Sequence, residues 1–362
     1  MTIEVSDRKT KAPKPPRAMR LQERDIAIGA WLARRRYLDA DQICRLVETH
    51  EGGSHAHTKT RLTALRENGY IVRPRGERSY WDECGRTYRI YGNTSKMGQI
   101  LQKRGLVPDG RLDWTQKNKD GKANFVEHTI ETSELLVTFE TTLRQYNGLR
   151  LCETDELLGR LPPRTQTHEN PWFVKGKPKS FPSTVKDIVK PDAILSVRQE
   201  QGRDVNEIYF FAEIDTTNMP VVRGMHLEGA LKRALLDHGN AKTGEAISRV
   251  QRNVEEARYK LLLHNAQREQ SSFLQKLTTY YWAFKNNWHQ EHFGWPAVRV
   301  LVTTRTAGQR ARMIEALQYV TSGQAPNLFL FSTFDEIRRC ENILTHKWLN
   351  GAGEGVWLRP KK

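Results

Sequence analysis

The sequence predicts an α/β chain in two parts: a small basic helical unit closed by a β-hairpin, then a larger domain in which strands alternate with helices. Three observations predict it. Through residues 20–105, apolar side chains recur at helical spacing in three successive segments, and two strand-like runs follow. From residue 123 on, short apolar runs alternate with longer amphipathic stretches. Positive charge is concentrated at the N-terminal end, where residues 1–120 carry 25 Lys and Arg against 15 Asp and Glu, compared with 33 against 27 in the rest.

Residues 1–19 are rich in Lys, Arg and Pro and contain PKPP. Proline restricts helix formation and there is little to bury, so a disordered basic tail is expected. Leu21–Arg35 has Ile26, Ile28, Trp31 and Leu32 near helical spacing. Asp39 is placed to cap a second helix, in which Ile43, Leu46 and Val47 share a face. After the Gly-Gly-Ser break at 52–54, Thr58–Asn68 forms a third helix with Leu62 and Leu65 inward, ended by Gly69 in a left-handed cap. YIVRP and RTYRIYG, separated by RGERSYWDECG, give the hairpin signal, and Thr94–Arg104 closes the unit as a helix.

This order is that of a winged helix-turn-helix over residues 20–105, in which the third helix can enter a major groove and a basic wing can reach phosphates. Lys59, Arg61, Arg66, Arg73, Arg75 and Arg78 are the candidate DNA contacts. The net charge of +16 supports a polyanionic partner, because neutralised phosphates release condensed counterions. Double-stranded DNA is therefore the expected partner. A solvated charge at any one of these positions, and a protein-binding winged helix for the whole unit, stand as the alternatives.

Residues 106–122 are polar and read as a linker to an α/β domain at 123–362. There, Asn124–Tyr146 is a long helix with Leu135, Leu136, Phe139 and Leu143 as its stripe. Strands are expected at 149–158, 188–197, 207–214, 297–304 and, last, 327–333. Helices are expected in 226–264 with a break at 238–244, at 273–287 and at 307–320. The chain is 38% hydrophobic and 28% charged, ordinary for a globular protein, and its 12 Phe, 11 Tyr and 9 Trp supply large apolar surface to bury. There is no secretory h-region and no apolar run of about 18 residues, and four scattered cysteines lack zinc spacing. A cytoplasmic protein with free thiols and no membrane contact is expected.

The chemically informative residues are carboxylates on two adjacent strand candidates: Asp192 in KPDAIL, then Glu213 and Asp215 in AEID. Residues i and i+2 of a strand share a face, so Glu213 and Asp215 project together and a neighbouring strand can bring Asp192 beside them. Clustered carboxylates suit Mg²⁺ or Mn²⁺, which can polarise a phosphodiester and activate water. Ion pairing of Glu213 and Asp215 with Arg223 or Lys276, with no metal, is the structural alternative.

Several segments carry a family resemblance: TKTRLTALRENGYIVR in the first part, then KPDAILSV, FFAEIDTTNMP and LQKLTTYYWAF in the second. With them the chain resembles the replication-relaxation family of plasmid and mobile-element proteins, and its second part resembles the PD-(D/E)xK nuclease fold. The resemblance implies a winged helix followed by a nuclease-like domain. Its catalytic set would be Asp192, Glu213, Asp215 and Lys276, and its metal ligands Asp192, Glu213 and Asp215. Such a nuclease would have lysine two residues after Glu213, where this chain has Asp215; Lys276 can substitute from another element, or the site serves binding alone. Three functions follow: a DNA-binding accessory protein in replication, relaxation or mobilisation that recruits a relaxase or replication protein; a metal-dependent endonuclease; or a winged-helix transcriptional regulator. A homodimer is compatible with each.

Overall fold

The computed structural model describes residues 19–51, 55–75, 89–185, 187–201, 204–216, 219–267 and 272–358. The expected tail at 1–19 thus lies outside the described residues except for Met19. The chain divides into two compact units, Met1–Val126 and Glu127–Lys362.

In the first unit the order is α1 (Glu23–Arg35), β1 (Leu38–Asp39), α2 (Ala40–Glu51), α3 (His55–Glu67), β2 (Ile71–Val72), β3 (Ile90–Asn93), α4 (Ser95–Lys103) and α5 (Trp114–Lys119). Local chemistry sets the helix ends. The Asp39 carboxylate accepts from the backbone N–H groups of Asp41 and Gln42, each at 2.8 Å, while the Gln42 side chain accepts from Asp39 N–H at 3.0 Å. This reciprocal box satisfies amides that the first turn of α2 leaves without partners. Gly69, at φ 73°, ends α3 in the left-handed conformation that a side chain would resist. The three strands form an antiparallel sheet in the order β1-β3-β2. Ile26, Ile28, Leu32, Leu62, Leu65 and Met97 are among the side chains buried in this unit.

The stretch expected as a linker, 106–122, is more ordered than its polar composition suggested. It contains α5, whose Asn118 is buried, donates from Nδ2 to Asn93 O at 2.8 Å and accepts from the Tyr37 hydroxyl at 3.0 Å. Polar side chains can stabilise a packed segment when their partners are backbone groups, and composition does not register this.

The second unit contains α6 (Ala123–Leu143, which starts just before it), β4 (Leu149–Glu153), α7 (Thr154–Leu158), α8 (Pro163–Gln166), β5 (Val174–Lys175), β6 (Ile188–Val189), β7 (Ala193–Gln201) and β8 (Asp204–Asp215). There follow α9 (Met225–Asn240), α10 (Gly244–Ala266), α11 (Phe273–Lys285), α12 (Trp288–Phe293), β9 (Val298–Thr304), α13 (Ala307–Thr321), β10 (Phe329–Thr333), α14 (Phe334–Arg338), β11 (Trp348–Asn350) and β12 (Gly355–Val356). Seven strands make one mixed sheet, β12-β11-β10-β9-β8-β7-β4. β8, β9 and β10 run parallel, and the other pairings are antiparallel. The strand at 327–333 is not the last; β11 and β12 extend the sheet beyond it.

Strand alternation divides the core. Phe210, Ala212 and Ile214 of β8 pack with Leu135, Leu136, Phe139 and Leu143 of α6, while Phe211 faces the layer holding Leu277 and Tyr280 of α11 and Leu317 of α13. A strand apolar on both faces belongs inside a covered sheet. One close approach is strict. At Gly176, just after β5, an added Cβ would lie 2.2 Å from the backbone nitrogen of Ala283 in α11.

Candidate functional site

In the first unit, α3 buries Thr58, Leu62 and Leu65 and leaves Lys59 and Arg66 exposed. The side chain of neither has a hydrogen-bond or ion-pair partner among the described residues. Arg61 is engaged within the unit. Its guanidinium grips the carboxylate of Asp25, with Nε at 3.0 Å from Oδ1 and Nη2 on Oδ2. Asp25 is fully buried, so Arg61 ties α3 to α1 rather than presenting its charge to a ligand. Arg66 and Arg73, together with the unforeseen Arg89, act on the Tyr91 hydroxyl; burial raises it and the three cations pull it back. Arg75 is exposed and pairs with Asp120 at 3.2 Å. Arg78 lies outside the described residues.

In the second unit, the β7–β8 hairpin builds the acidic cluster. Ala193 is opposite Ala212, which brings Asp192 beside Glu213. Asp192 continues the ladder: its N–H donates to Ala212 O at 3.0 Å, and its Oδ2 accepts from Ile214 N–H at 2.8 Å. Its Oδ1 faces His128 Nε2 of α6 at 3.2 Å. Glu213 is 1% exposed. Lys276 of α11 donates to its Oε2, and the Tyr280 hydroxyl donates to its Oε1. Lys276 and Tyr280 are four residues apart and so share a helix face. Asp215 accepts instead from Thr304 Oγ1 at 3.1 Å and Gln309 Nε2 at 3.3 Å.

Burial pushes the Glu213 carboxyl up to about 7, against the pull of Lys276 and with the repulsion of Asp192 added. Burial alone would lower the Lys276 ammonium, but the Glu213 and Asp192 carboxylates outweigh it and hold the group protonated. Asp192 is held below its ordinary range: burial opposes this, but the hydrogen bond from His128 and the charge of Lys276 prevail. His128 is raised by the same hydrogen bond. Asp215 is raised by burial.

Asp192, Glu213 and Lys276 therefore come together, while Asp215 shares their face but turns to β9 and α13. Among the described residues no group of three His, Cys, Asp or Glu side chains is arranged to hold a metal ion. The expected ligand set Asp192, Glu213 and Asp215 does not fit a divalent cation here. The physical reason is charge and donor competition: Lys276 and Tyr280 occupy both oxygens of Glu213, and the two aspartates point to separate partners. On α6, Glu127 is engaged by Arg305 and Glu131 by Arg338. The Tyr280 hydroxyl is a further member of the cluster, and its i+4 spacing from Lys276 is the signal of it in the sequence. The Arg223 backbone N–H donates to Asn265 Oδ1 at 2.9 Å.

Among the described residues, no helix is long and apolar enough to cross a membrane. The family model for replication-relaxation proteins matches residues 30–226, a span that includes Asp192, Glu213 and Asp215 and ends before Lys276. No curated protein and no solved structure matches the chain.

Proposed function

We propose that this chain, which belongs to the replication-relaxation family, binds duplex DNA through its first unit. In this reading it serves replication, relaxation or mobilisation of a plasmid or other mobile element as a binding and recruiting factor. The observation that carries the reading is that Lys59 and Arg66 lie exposed on α3, their side chains without a hydrogen-bond or ion-pair partner among the described residues. The order α1-β1-α2-α3-β2-β3 supports reading the unit as a winged helix-turn-helix with α3 as its recognition helix. The net charge of +16 supports the same partner.

The second unit supports a PD-(D/E)xK-like reading through its order α6, β4, β7, β8, helices, then β9 parallel to β8. Asp192, Glu213 and Lys276 stand where that reading wants two acids and a lysine. The mutual engagement of these groups favours a domain that binds DNA or a relaxase or replication protein over one that cuts through a metal ion.

Fluorescence anisotropy with a labelled duplex at several salt concentrations tests the reading. Affinity should fall steeply with salt, and Lys59→Gln with Arg66→Gln should reduce the slope of log K against log salt by about 1.8. Salt-independent binding, or none, overturns it. Supercoiled plasmid incubated with Mg²⁺ or Mn²⁺ should stay uncut; cleavage lost in Glu213→Gln would establish the endonuclease instead.

A further inference from the structure

At the end of the large sheet away from Glu213, where β8 and β9 begin and β7 finishes, lies a cavity of about 610 Å³. That size is in the range of small-molecule sites. Leu149, Val197, Ile208, Phe210 and Trp357 line it with apolar surface, and Arg299 lies among them. Arg299 is next to Phe210 in the β8–β9 register, inside the run Val298–Thr304 that is otherwise free of charge.

The guanidinium of Arg299 has no hydrogen-bond or ion-pair partner among the described residues. Burial lowers its pKa, and no carboxylate acts against that. Glu207 also lines the cavity, but its carboxylate is taken by Arg160, at 2.7 and 2.9 Å, with Arg198 at 3.5 Å. A half-buried charge on a central strand is costly to desolvate and normally has a counter-charge. A largely apolar cavity holding a cation with no counter-charge among the described residues is complementary to a molecule with an apolar body and one anionic end.

We infer that this cavity binds a small amphipathic carboxylate, with the carboxylate on Arg299 and the apolar chain along Val197, Ile208, Phe210 and Trp357. The site stands apart from the acidic cluster and from the DNA reading, and its test contains no DNA.

The test is isothermal titration of the full-length protein with decanoate and decyltrimethylammonium, each below its micelle-forming concentration, and with decan-1-ol below its solubility limit. Decanoate should bind saturably, one per chain, at least about tenfold tighter than either of the others. Arg299→Gln, a shorter polar side chain without the charge, should weaken decanoate about tenfold and leave decan-1-ol unchanged. Ala297→Trp, which fills the cavity from its lining, should abolish decanoate binding; circular dichroism checks that both variants are folded. Equal decanoate affinity in wild type and Arg299→Gln overturns the inference. So does decan-1-ol binding as tightly as decanoate, which would mark a purely apolar surface, or no saturable binding of decanoate to wild type, which would leave the cavity to a macromolecular partner.

Discussion

Lys276 donates to the Glu213 carboxylate from α11, 63 residues further along the chain, and Tyr280 one turn later hydrogen-bonds the other oxygen. With Lys276 gone, Glu213 would be a buried charge without its cation. Lys276→Met should therefore cost about 3 kcal/mol at pH 8, and less at pH 5, where Glu213 can take up a proton instead. Urea unfolding at the two pH values measures this; equal losses at both would count against it.

Glu213 itself has a signed pH signature. Its folded value, about 7, is above the ordinary 4.5 of an unfolded glutamate, so the folded chain binds more protons between those values. Its contribution is complete below about 4.5 and is withdrawn as pH rises through about 7. Wild type should lose stability over that window relative to Glu213→Gln, whose side chain stays neutral throughout. Parallel stability–pH curves for the two proteins would refute the assignment.

His128 and Asp192 make the opposite-sign pair. The raised imidazole contributes stability that is present below its unfolded value and lost as pH rises through its folded value. The lowered carboxyl contributes stability present above its unfolded value and lost as pH falls. In an NMR titration, the His128 midpoint should lie above the ordinary 6.5 and move down in Asp192→Asn. An unchanged midpoint in the variant would show that the hydrogen bond does not set it.

Arg61 and Arg66 occupy one helix and should fail differently. Arg61→Gln leaves the buried Asp25 carboxylate unpaired and should lower stability by about 3 kcal/mol. Arg66→Gln should leave the melting temperature within about a degree or two and weaken duplex binding. Thermal denaturation beside anisotropy separates them, and the reverse pattern would exchange their roles.

Gly176→Ala should destabilise by about 2 kcal/mol or more, because the backbone of α11 cannot yield to the new Cβ. Gly159→Ala is the control: an added Cβ there meets nothing within 4 Å, and the residue has φ −66°. Its effect should stay within about 0.5 kcal/mol. Chemical denaturation of both variants checks the contrast.

Elements whose cause is local were legible in the sequence. The cap at Asp39 acts within four residues, and the stripe Leu135, Leu136, Phe139 and Leu143 repeats at helical spacing along α6. β11 and β12, three and two residues long, were not, because no period is visible over so short a run and their pairing comes from neighbouring strands, β10 for β11 and β11 for β12. α5 was hidden by its polar composition, since what holds Asn118 in place is backbone of β3 and the hydroxyl of Tyr37.

By itself the sequence determined the mixed α/β class, most of the element order, and the placement of Glu213 and Asp215 on one strand with Asp192 at the start of its neighbour. It also supplied the family resemblance that the match over residues 30–226 bears out. Only the tertiary structure decided which charges meet. Lys276 meets Glu213, His128 meets Asp192, Arg61 is taken by Asp25, and Arg299 meets no carboxylate among the described residues. Alternation and helical spacing give a side chain its face, but a charge's partner depends on which distant element packs over that face. Burial then determines how strongly the pair shifts its protons, as Glu213 shows.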